Sequence, residues 1–388
     1  MGMKIAVIGV GHTRFGELWT RSIFDLLAES QQAALIDAQL PVEAIQRVIV
    51  GNMCSGVLLG QQHLGTIAAT QLGLSVPASS VEGACASGSL ALHSAITSIE
   101  AGRAEVVMVT GVEKLMDNSI ELVTASFMGA SNRDLERFVG ATFPSIFGLI
   151  SRFYMHEYGI ASECIGAVSV KNHYNGAKNQ KAHLRKEISM HDYLQSSVVA
   201  DPIKLLDCSP VSDGAASVIL TSVEYARQHG YKPIYIIGSG VAVDTPNIAE
   251  RKTLVSFKAT RKAAALAYAQ AGINAQDINV AEVHDAFSLA EIISLEDLGF
   301  FDSKQAATAA LDGITTIDGK LPINPSGGLK ARGHPVGATG IAQVVEIVQQ
   351  LRGQAGDRQI KNASLGLTHN MGGIGATVVV NIFSNQEE

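Results

Sequence analysis

The sequence is poor in cysteine and in charge. Its four cysteines are scattered and show no C-x-x-C spacing, so neither a structural zinc site nor a disulfide framework is expected. The net charge is −7 and no long basic run occurs, which argues against nucleic acid as a partner. No apolar run is long enough to span a bilayer, which argues against a membrane protein. We therefore expect a cytoplasmic protein in which a free thiol survives.

Glycine is abundant, and two glycine-containing segments repeat one pattern. Residues 4–11 read K-I-A-V-I-G-V-G and residues 233–240 read P-I-Y-I-I-G-S-G, each a strand-like run that ends in G-x-G. A helical pattern follows each run, at 22–38 and 260–271, and then a polar turn and an apolar strand. The repetition predicts a duplicated α/β unit, although two unrelated βα units also share such a pattern by chance. Both segments lack the third glycine of G-x-G-x-x-G, so we expect no dinucleotide site.

The same patterns divide the chain into two halves and an insertion. Further strands are expected at 105–110, 215–221, 363–367 and 377–382, so strands and helices alternate in both halves. Residues 114–205 differ, because they are richer in His, Asn, Lys and Tyr and have an irregular periodicity. We expect an α/β fold with a first half at 1–113 and 206–230, an inserted loop subdomain at 114–205 and a second half at 231–388.

Cys85 is placed unusually for a packing residue. It stands in V-E-G-A-C-A-S-G-S among small residues, and a helical pattern follows at 87–99. The thiol is therefore expected near a helix N-terminus, where N–H groups and the helix dipole favour a thiolate. A nucleophile and a small cysteine buried in a tight strand–helix junction are equally compatible with this stretch alone.

Three histidines fall in turns at the ends of predicted elements. His334 lies in G-H-P-V-G-A-T-G, His284 in H-D-A-F and His369 in H-N-M-G-G-I-G. Histidine is the usual base for a nucleophilic thiol, and a glycine loop exposes N–H groups that bind an oxyanion. Each stretch also has a purely structural interpretation: a surface loop for His334, a packed histidine beside a helix-capping Asp285 for His284, and a hairpin turn for His369.

At these four stretches the chain resembles the thiolase superfamily, over essentially its whole length. It is most similar to the sterol-carrier-protein thiolases and the archaeal acetoacetyl-CoA thiolases. G-H-P-x-G-A-T-G and H-D-x-F are specific signatures, and S-D-G-A-A-S at 212–217 supports them. The resemblance implies a thiolase-like fold: two duplicated α/β halves, layered α-β-α-β-α, with a loop subdomain inserted in the first. It also implies a homodimer or a dimer of dimers.

The resemblance implies a role for each site residue. Cys85 would take the acyl group from coenzyme A, His334 would activate its thiol, and His284 would contribute to an oxyanion hole. The N–H groups of Cys85 and Met371 would form a second oxyanion hole, and Thr260 would contact the pantetheine. The inserted subdomain would cover the coenzyme A tail, and its basic residues would either meet the phosphates or form a solvated face: Lys171, Lys178, Lys181, Arg185 and Lys186.

Two positions depart from the family pattern. Many thiolases move the proton on the substrate α-carbon with a second cysteine, in a C-x-G motif, and His369 occupies that position here. Sterol-carrier-protein thiolases use the cysteine of H-D-C-F instead, and Ala286 occupies that position. Because carbon–carbon bond formation needs a base, we predict that His369 takes this role.

The function implied by the resemblance is that of an acyl-CoA acyltransferase. It would form or cleave a 3-oxoacyl-CoA through a Cys85 thioester, with acyl-CoA as substrate and no metal or redox cofactor. One alternative is a lyase or C-acyltransferase that acts on a non-CoA acceptor with a small OB-fold partner protein. A ketosynthase fits less well, because its histidine motifs differ. The other alternative is a non-catalytic acyl-CoA-binding scaffold, which would need neither Cys85 nor His334.

Overall fold

A computed structural model describes residues 5–387, and its first part alternates strands and helices. Ser22 caps the first helix by accepting a hydrogen bond from the N–H of Asp25, so that helix begins within one residue of the predicted place. The elements up to residue 113 are β1 (Ile5–His12), α1 (Ile23–Ala38), β2 (Arg47–Gly51), α2 (Ser55–Leu58), α3 (Leu64–Gln71), β3 (Ala78–Val81), α4 (Ser87–Glu100) and β4 (Val106–Glu113).

The region between residues 114 and 205 is largely helical. It contains two helices of 16 residues and a short hairpin, in the order α5 (Ile120–Phe127), α6 (Phe143–Tyr158), α7 (Ser162–Ala177), α8 (Met190–Gln195), β5 (Val198–Ala200) and β6 (Ile203–Lys204). The chain then returns to the main sheet with β7 (Gly214–Ser222) and α9 (Val223–Gln228). Within residues 5–387, no helix has both the length and the apolarity needed to cross a membrane.

The last part of the chain repeats the alternation of the first. Its elements are β8 (Ile234–Val243), α10 (Lys258–Ala271), β9 (Val280–Glu282), α11 (Ser288–Asp297), α12 (Ala306–Ala309), α13 (Gly328–Arg332), α14 (Val336–Leu351), β10 (Leu365–Gly372) and β11 (Thr377–Ser384). Short 3-10 turns occur at Val42–Ala44, Ala84–Ala86, Met128–Ala130, Leu205–Asp207, Ile248–Glu250, Ala275–Asp277 and Gly356–Arg358, and a π-helical turn at Arg133–Arg137.

The sheet shows the duplication directly. Nine strands follow the order β3-β2-β4-β7-β1-β8-β11-β10-β9, and β1 meets β8 over only a few residues at the centre. Counted outward from that contact, β1, β7, β4 and β2 occupy the same places as β8, β11, β10 and β9. The senses also match at these places, since β2 runs parallel to β4 and β9 parallel to β10, while the neighbours nearer the centre are antiparallel. Among the described strands, the edge strand β3 has no counterpart in the second half and runs parallel to β2.

Three hydrophobic clusters separate the layers. One lies between α1 and the first half of the sheet and contains Leu26. The second contains Leu92 of α4 and Ile341 of α14, which pack between the two halves of the sheet. The third contains Ala263 of α10 and Ile382 of β11, on the far side of the second half. The resulting sequence of layers is α-β-α-β-α, which confirms the predicted fold class.

The G-x-G pairs of the sequence serve helix–strand packing. A Cβ on Gly11 of β1 would lie 2.5 Å from the backbone nitrogen of Ala34 in α1. A Cβ on Gly240 of β8 would collide with the carbonyl oxygen of Ala263 in α10. The missing side chain therefore lets each helix lie directly on its strand, and the same device is used in both halves.

Candidate active site

Cys85 lies in a tight turn between β3 and α4. Residues Ala84–Ala86 form one 3-10 turn, and Ala84 has a left-handed backbone with a φ of 54°. Ser87 holds the turn, because its Oγ accepts a hydrogen bond from the N–H of Gly83 (3.0 Å) and donates one to the carbonyl of Ala84 (2.6 Å). A strained non-glycine residue persists only where its surroundings impose it. The turn presents a half-buried thiol at the beginning of α4.

The charge state of Cys85 differs from the predicted one. Burial is the main cause that raises the pKa of its thiol to about 12. The backbone N–H of Gly373 lowers the pKa and so opposes this effect, and the carboxylate of Glu113 adds to it. The prediction of a thiolate at Cys85 is therefore wrong for the protein without substrate. Cys85 holds its proton and must give it to a base during any reaction.

His334 offers such a base. It follows α13, and its Nδ1 lies 2.7 Å from Thr339 Oγ1 in the first turn of α14. The Thr339 hydroxyl donates its own proton to the carbonyl of Pro335 (3.1 Å), so its oxygen accepts from Nδ1–H. This assigns the proton of the ring to Nδ1 and leaves a lone pair on Nε2, which is buried without a protein partner among the described residues. Burial lowers the pKa of His334 to about 3, so the ring is neutral.

His284 has the opposite tautomer. Its Nδ1 lies 3.4 Å from the N–H of Met371 and 3.1 Å from Nδ2 of Asn370. Because a backbone N–H only donates, Nδ1 of His284 is the acceptor and the ring proton is on Nε2. Burial, and then the neighbouring His334, hold the pKa of His284 well below its usual range. His284 is therefore a neutral donor.

The fold brings these side chains to one place. The rings of His284 and His334 lie edge to face, with 5.2 Å between their centres. Helices α4 and α14 approach closely at their N-terminal ends, because a Cβ on Gly88 would lie 2.6 Å from the carbonyl oxygen of Gly337. The turn that carries Cys85 contacts both α14 and β10. The site thus combines a thiol, a ring nitrogen that accepts a proton and a ring N–H that donates one.

His369 lies beside this site and is fully enclosed. Its Nε2 is 3.0 Å from Thr260 Oγ1, and its Nδ1 accepts from the N–H of His284 (3.4 Å). Burial lowers the pKa of His369 to about 3. Thr260 is itself buried within α10, and its hydroxyl faces His369. Both ring nitrogens of His369 therefore have partners, and Thr260 is placed to hold His369 and not to meet a pantetheine chain.

Two backbone N–H groups of the β10–β11 hairpin have different partners. The N–H of Met371, which the family resemblance assigns to an oxyanion hole, points to His284 at 3.4 Å. The N–H of Gly373 is instead the hairpin donor that lowers the pKa of the Cys85 thiol. Gly373 has a φ of 61° in the hairpin turn, a conformation that favours glycine. Sequence reasoning missed Gly373, although the glycine run of H-N-M-G-G-I-G contained it.

The basic residues of the inserted region have different environments. Lys171 is buried, and its Nζ lies 2.5 Å from the carboxylate of Glu291, so its assignment to coenzyme A phosphates is wrong. Two others contact the protein: Lys178 lies over the ring of Tyr174, and Lys181 donates to the carbonyl of His12. Lys181 is nonetheless exposed, as are Arg185 and Lys186.

Glu113 is an interior residue that the sequence analysis did not single out. It ends β4, and its carboxylate accepts hydrogen bonds from the N–H groups of Met53 (3.0 Å), Cys54 (3.0 Å) and Gly337 (3.1 Å), and from Asn52 Nδ2 (2.9 Å). Burial raises the pKa of Glu113 to about 7, against the effect of these donors. The side chain thereby ties the loop after β2 to the beginning of α14.

Asp285 stabilises a different helix from the one expected. It does not cap α11, which the plain interpretation of H-D-A-F proposed. Its carboxylate accepts from the N–H groups of Leu329 (2.6 Å) and Lys330 (3.3 Å) in α13, and from Asn172 Nδ2 (2.7 Å) in α7. The H-D pair therefore fixes the segment that leads to His334 while its histidine enters the site.

Known proteins match the whole chain. The family model for the thiolase N-terminal domain matches residues 5–224, and a model described as thiolase C-terminal domain-like matches residues 240–385. The acetyl-CoA acetyltransferase of Methanothermobacter thermautotrophicus is 44% identical, and that of Methanocaldococcus jannaschii is 42% identical. Each match covers 98% of this chain and 99% of the relative. Human sterol carrier protein 2 is 34% identical, over 98% of this chain and 72% of its own length.

Solved structures share the fold. The Ltp2-ChsH2(DUF35) aldolase gives a TM-score of 0.87 at 24% identity, over 100% of this chain and 99% of that chain. Human mitochondrial 3-ketoacyl-CoA thiolase gives a TM-score of 0.77 at 18% identity, with 99% of each chain covered. Together with the site, these similarities define an acyltransferase that works on thioesters. The chain belongs to the thiolase family, as the sequence motifs predicted.

Proposed function

We propose that this protein moves acetyl groups between coenzyme A thioesters, through a thioester on Cys85. The observation that carries this assignment is the pair of neutral imidazoles with opposite tautomers, His334 and His284, whose centres lie 5.2 Å apart. One ring accepts a proton and the other donates a hydrogen bond, which is the combination that acyl transfer needs. The archaeal relatives named acetyl-CoA acetyltransferase support acetyl-CoA as the substrate.

The first half of the reaction uses the base. As the Cys85 sulfur attacks the thioester carbon, its proton passes to His334 Nε2 and the carbonyl becomes an oxyanion. The oxyanion collapses, the bond to the coenzyme A sulfur breaks, and His334 returns the proton to that leaving thiolate. The N–H groups of Cys85 and Gly373 are the donors we assign to this oxyanion, because these two backbone groups lower the pKa of the thiol and so favour negative charge there.

The second half forms a carbon–carbon bond. A second acetyl-CoA loses a proton from its α-carbon to a base, and the resulting enolate attacks the acetyl group on Cys85. The carbon–sulfur bond breaks, and the Cys85 thiolate takes up the proton that the base removed, which restores the free enzyme. We assign His284 Nε2–H as the donor to the enolate oxygen, because Nδ1 of the same ring already accepts from the N–H of Met371. We propose His369 as the base for the α-proton. For this role its 3.0 Å hydrogen bond to Thr260 would have to open in the complex with substrate.

The proposal extends to the cellular compartment of the protein, its oligomeric state and its binding partners. We propose a cytoplasmic homodimer in lipid metabolism that binds acyl-CoA. The fold shared with the Ltp2-ChsH2(DUF35) aldolase supports testing a small OB-fold partner as well, with transfer to a non-CoA acceptor as the second candidate reaction.

Intact-protein mass spectrometry after incubation with acetyl-CoA tests the proposal. We expect one acetyl adduct on the wild type and on Cys208→Ala, and none on Cys85→Ala. Cys208 is the matched control, because it is also half-buried and also has a pKa raised by burial. An adduct that survives Cys85→Ala would refute the assignment of the nucleophile. Absence of any adduct on the wild type would favour a binding scaffold.

A further inference from the structure

Asn370 contacts His284 directly and has no role in the reaction steps proposed above. It lies in β10 and is fully buried, and its Nδ2 is 3.1 Å from His284 Nδ1. The N–H of Met371 reaches the same ring nitrogen at 3.4 Å. The side-chain contact is the shorter of the two, so Asn370 is the main partner of His284 on this side of the ring.

The orientation of the Asn370 amide follows from the ring. Because the N–H of Met371 can only donate, His284 Nδ1 is an acceptor, and the atom of Asn370 that faces it must be a donor. The Nδ2 group therefore points to His284, and Oδ1 points to the other side. Among residues 5–387, this Oδ1 is buried without a hydrogen-bond partner. A buried acceptor that lacks a donor is costly, so the surroundings of Oδ1 need an explanation.

Ser89 offers the missing donor. It lies in the first turn of α4, four residues after Cys85, and its buried Oγ also has no partner in the part of the chain that the structure describes. The two oxygens surround one point, because a Cβ on Gly340 of α14 would lie 2.2 Å from Ser89 Oγ and 2.4 Å from Asn370 Oδ1. A water oxygen needs about 2.7 Å from such atoms, so no water fits at that point. The hydroxyl and the amide oxygen therefore face each other where Gly340 has no side chain.

We propose that Asn370 is a positioning residue that holds His284 as a donor, and that the Ser89 hydroxyl donates to Asn370 and fixes its amide. While Nδ1 of His284 accepts from Asn370, the ring proton stays on Nε2, the nitrogen that we assign to the enolate oxygen. Asn370 acts through His284 and touches no reacting atom. The inference rests on the proposed role of His284 in the second half of the reaction, and adds the residues that set the tautomer and the direction of its ring.

The kinetic test measures the two halves of the reaction separately. Acetylation of Cys85 by acetyl-CoA is followed by mass spectrometry, and the acetylated enzyme is then mixed with acetyl-CoA to follow acetoacetyl-CoA formation. Because the second half uses the His284 donor, we expect Asn370→Leu to slow acetoacetyl-CoA formation about tenfold, while acetylation stays within about twofold of the wild type. Ser89→Ala should slow the same step about threefold, because it loosens the amide without removing it.

Matched controls and a double variant accompany these measurements. Asn381→Leu removes another fully buried asparagine, in the neighbouring strand β11. Ser94→Ala makes the serine-to-alanine change elsewhere on α4, where the Oγ donates to the carbonyl of Leu90 (2.9 Å). Both controls should leave the ratio of the two rates unchanged. The double variant with Ser89→Ala and Asn370→Leu should be no slower than Asn370→Leu alone, because the serine acts only through the asparagine.

A measurement without substrate tests the contact itself. In the wild type and in Asn381→Leu, the ¹⁵N resonance of His284 Nδ1 should be that of an unprotonated nitrogen that accepts a hydrogen bond. In Asn370→Leu it should move toward the position of an imidazole nitrogen without such a bond, and in Ser89→Ala it should move the same way by a smaller amount. An unchanged resonance in Asn370→Leu would contradict the proposed hold on the ring.

The outcomes separate this inference from the proposed function. If Cys85 of the wild type is not acetylated, the proposed function fails, while the Nδ1 resonance still decides whether Asn370 holds His284. If Asn370→Leu slows both halves equally, or no more than its control does, the inference is refuted and Cys85 stays the nucleophile. If Ser89→Ala slows the double variant further, the serine does not act through Asn370. Should Asn370→Leu fail to fold, Ser89→Ala removes only one oxygen atom and tests the same pair.

Discussion

Thr339 is expected to control catalysis although it touches no substrate. Its hydroxyl keeps the ring proton of His334 on Nδ1, through contacts of 2.7 Å to the ring and 3.1 Å to the Pro335 carbonyl. Valine has a similar shape but no acceptor. In Thr339→Val the Nδ1–H would be buried without a partner, so the tautomer with its proton on Nδ1 would lose its advantage over the tautomer with its proton on Nε2. That tautomer has no lone pair for the Cys85 proton.

The size of the effect follows from the unsatisfied donor. A buried donor left without its acceptor costs about 1–3 kcal/mol, which corresponds to a rate of acetylation about 5- to 150-fold slower. Thr339→Ser retains the hydroxyl and should stay within a few-fold of the wild type. Single-turnover acetylation of Cys85, followed by quenching and mass spectrometry, measures these rates.

A readout of the ring itself separates positioning from stability. The ¹⁵N chemical shifts of His334 should show a protonated Nδ1 in the wild type and in Thr339→Ser, and a protonated Nε2 in Thr339→Val. A loss of packing alone would lower the free energy of unfolding without exchanging the tautomer. The reasoning would be refuted if Cys85 in Thr339→Val were acetylated at the wild-type rate. It would also be refuted if the tautomer of His334 were unchanged in that variant.

Three further predictions concern individual side chains. In His369→Ala, Cys85 should be acetylated at nearly the wild-type rate, while acetoacetyl-CoA formation should slow by about 10²–10⁴-fold, as expected for a lost acid–base group. Equal effects on both steps would contradict the proposed role. Because burial raises the pKa of Cys85 to about 12, alkylation by iodoacetamide should increase about tenfold per pH unit from pH 6 to 9, and a plateau near neutral pH would show a thiolate instead. Lys171→Met should lower the free energy of unfolding in urea by about 3–5 kcal/mol, because it leaves Glu291 buried and unpaired. The exposed Lys186→Met should change it by less than about 0.5 kcal/mol, so equal effects would show that the buried pair adds nothing.

The sequence carried enough information to predict the fold, because its signals are local and repeated. Hydrophobic runs and turn residues placed β1, α1 and the helix after Cys85 within a few residues of their observed bounds. The repeated G-x-G recorded a real packing requirement, namely the close approach of a helix to Gly11 and to Gly240. Such requirements act through neighbouring residues in the chain and are therefore visible without coordinates.

The properties that the sequence could not show depend on burial and on partners distant in the chain. The local argument for a thiolate at Cys85 was sound in direction, since backbone N–H groups do lower its pKa, but burial outweighs them. Lys171 looked like a phosphate ligand because its partner Glu291 is 120 residues away. Whether the N–H of Met371 or that of Gly373 serves as oxyanion donor depends on the direction of each N–H in the hairpin. The amino-acid sequence does not specify that direction.

The duplication explains how one fold supplies both a nucleophile and its base. α4 and α14 lie side by side between the two halves of the sheet, and Gly88 and Gly337 allow their N-terminal ends to approach. The residue two positions before each helix thus enters one shared space, which holds Cys85 from one half and His334 from the other. Two identical halves would have placed two thiols or two imidazoles there, and neither pair could transfer a proton in one direction. Because the two halves differ at positions 85 and 334, the contact between the N-terminal ends of α4 and α14 pairs a thiol that gives a proton with an imidazole that accepts it.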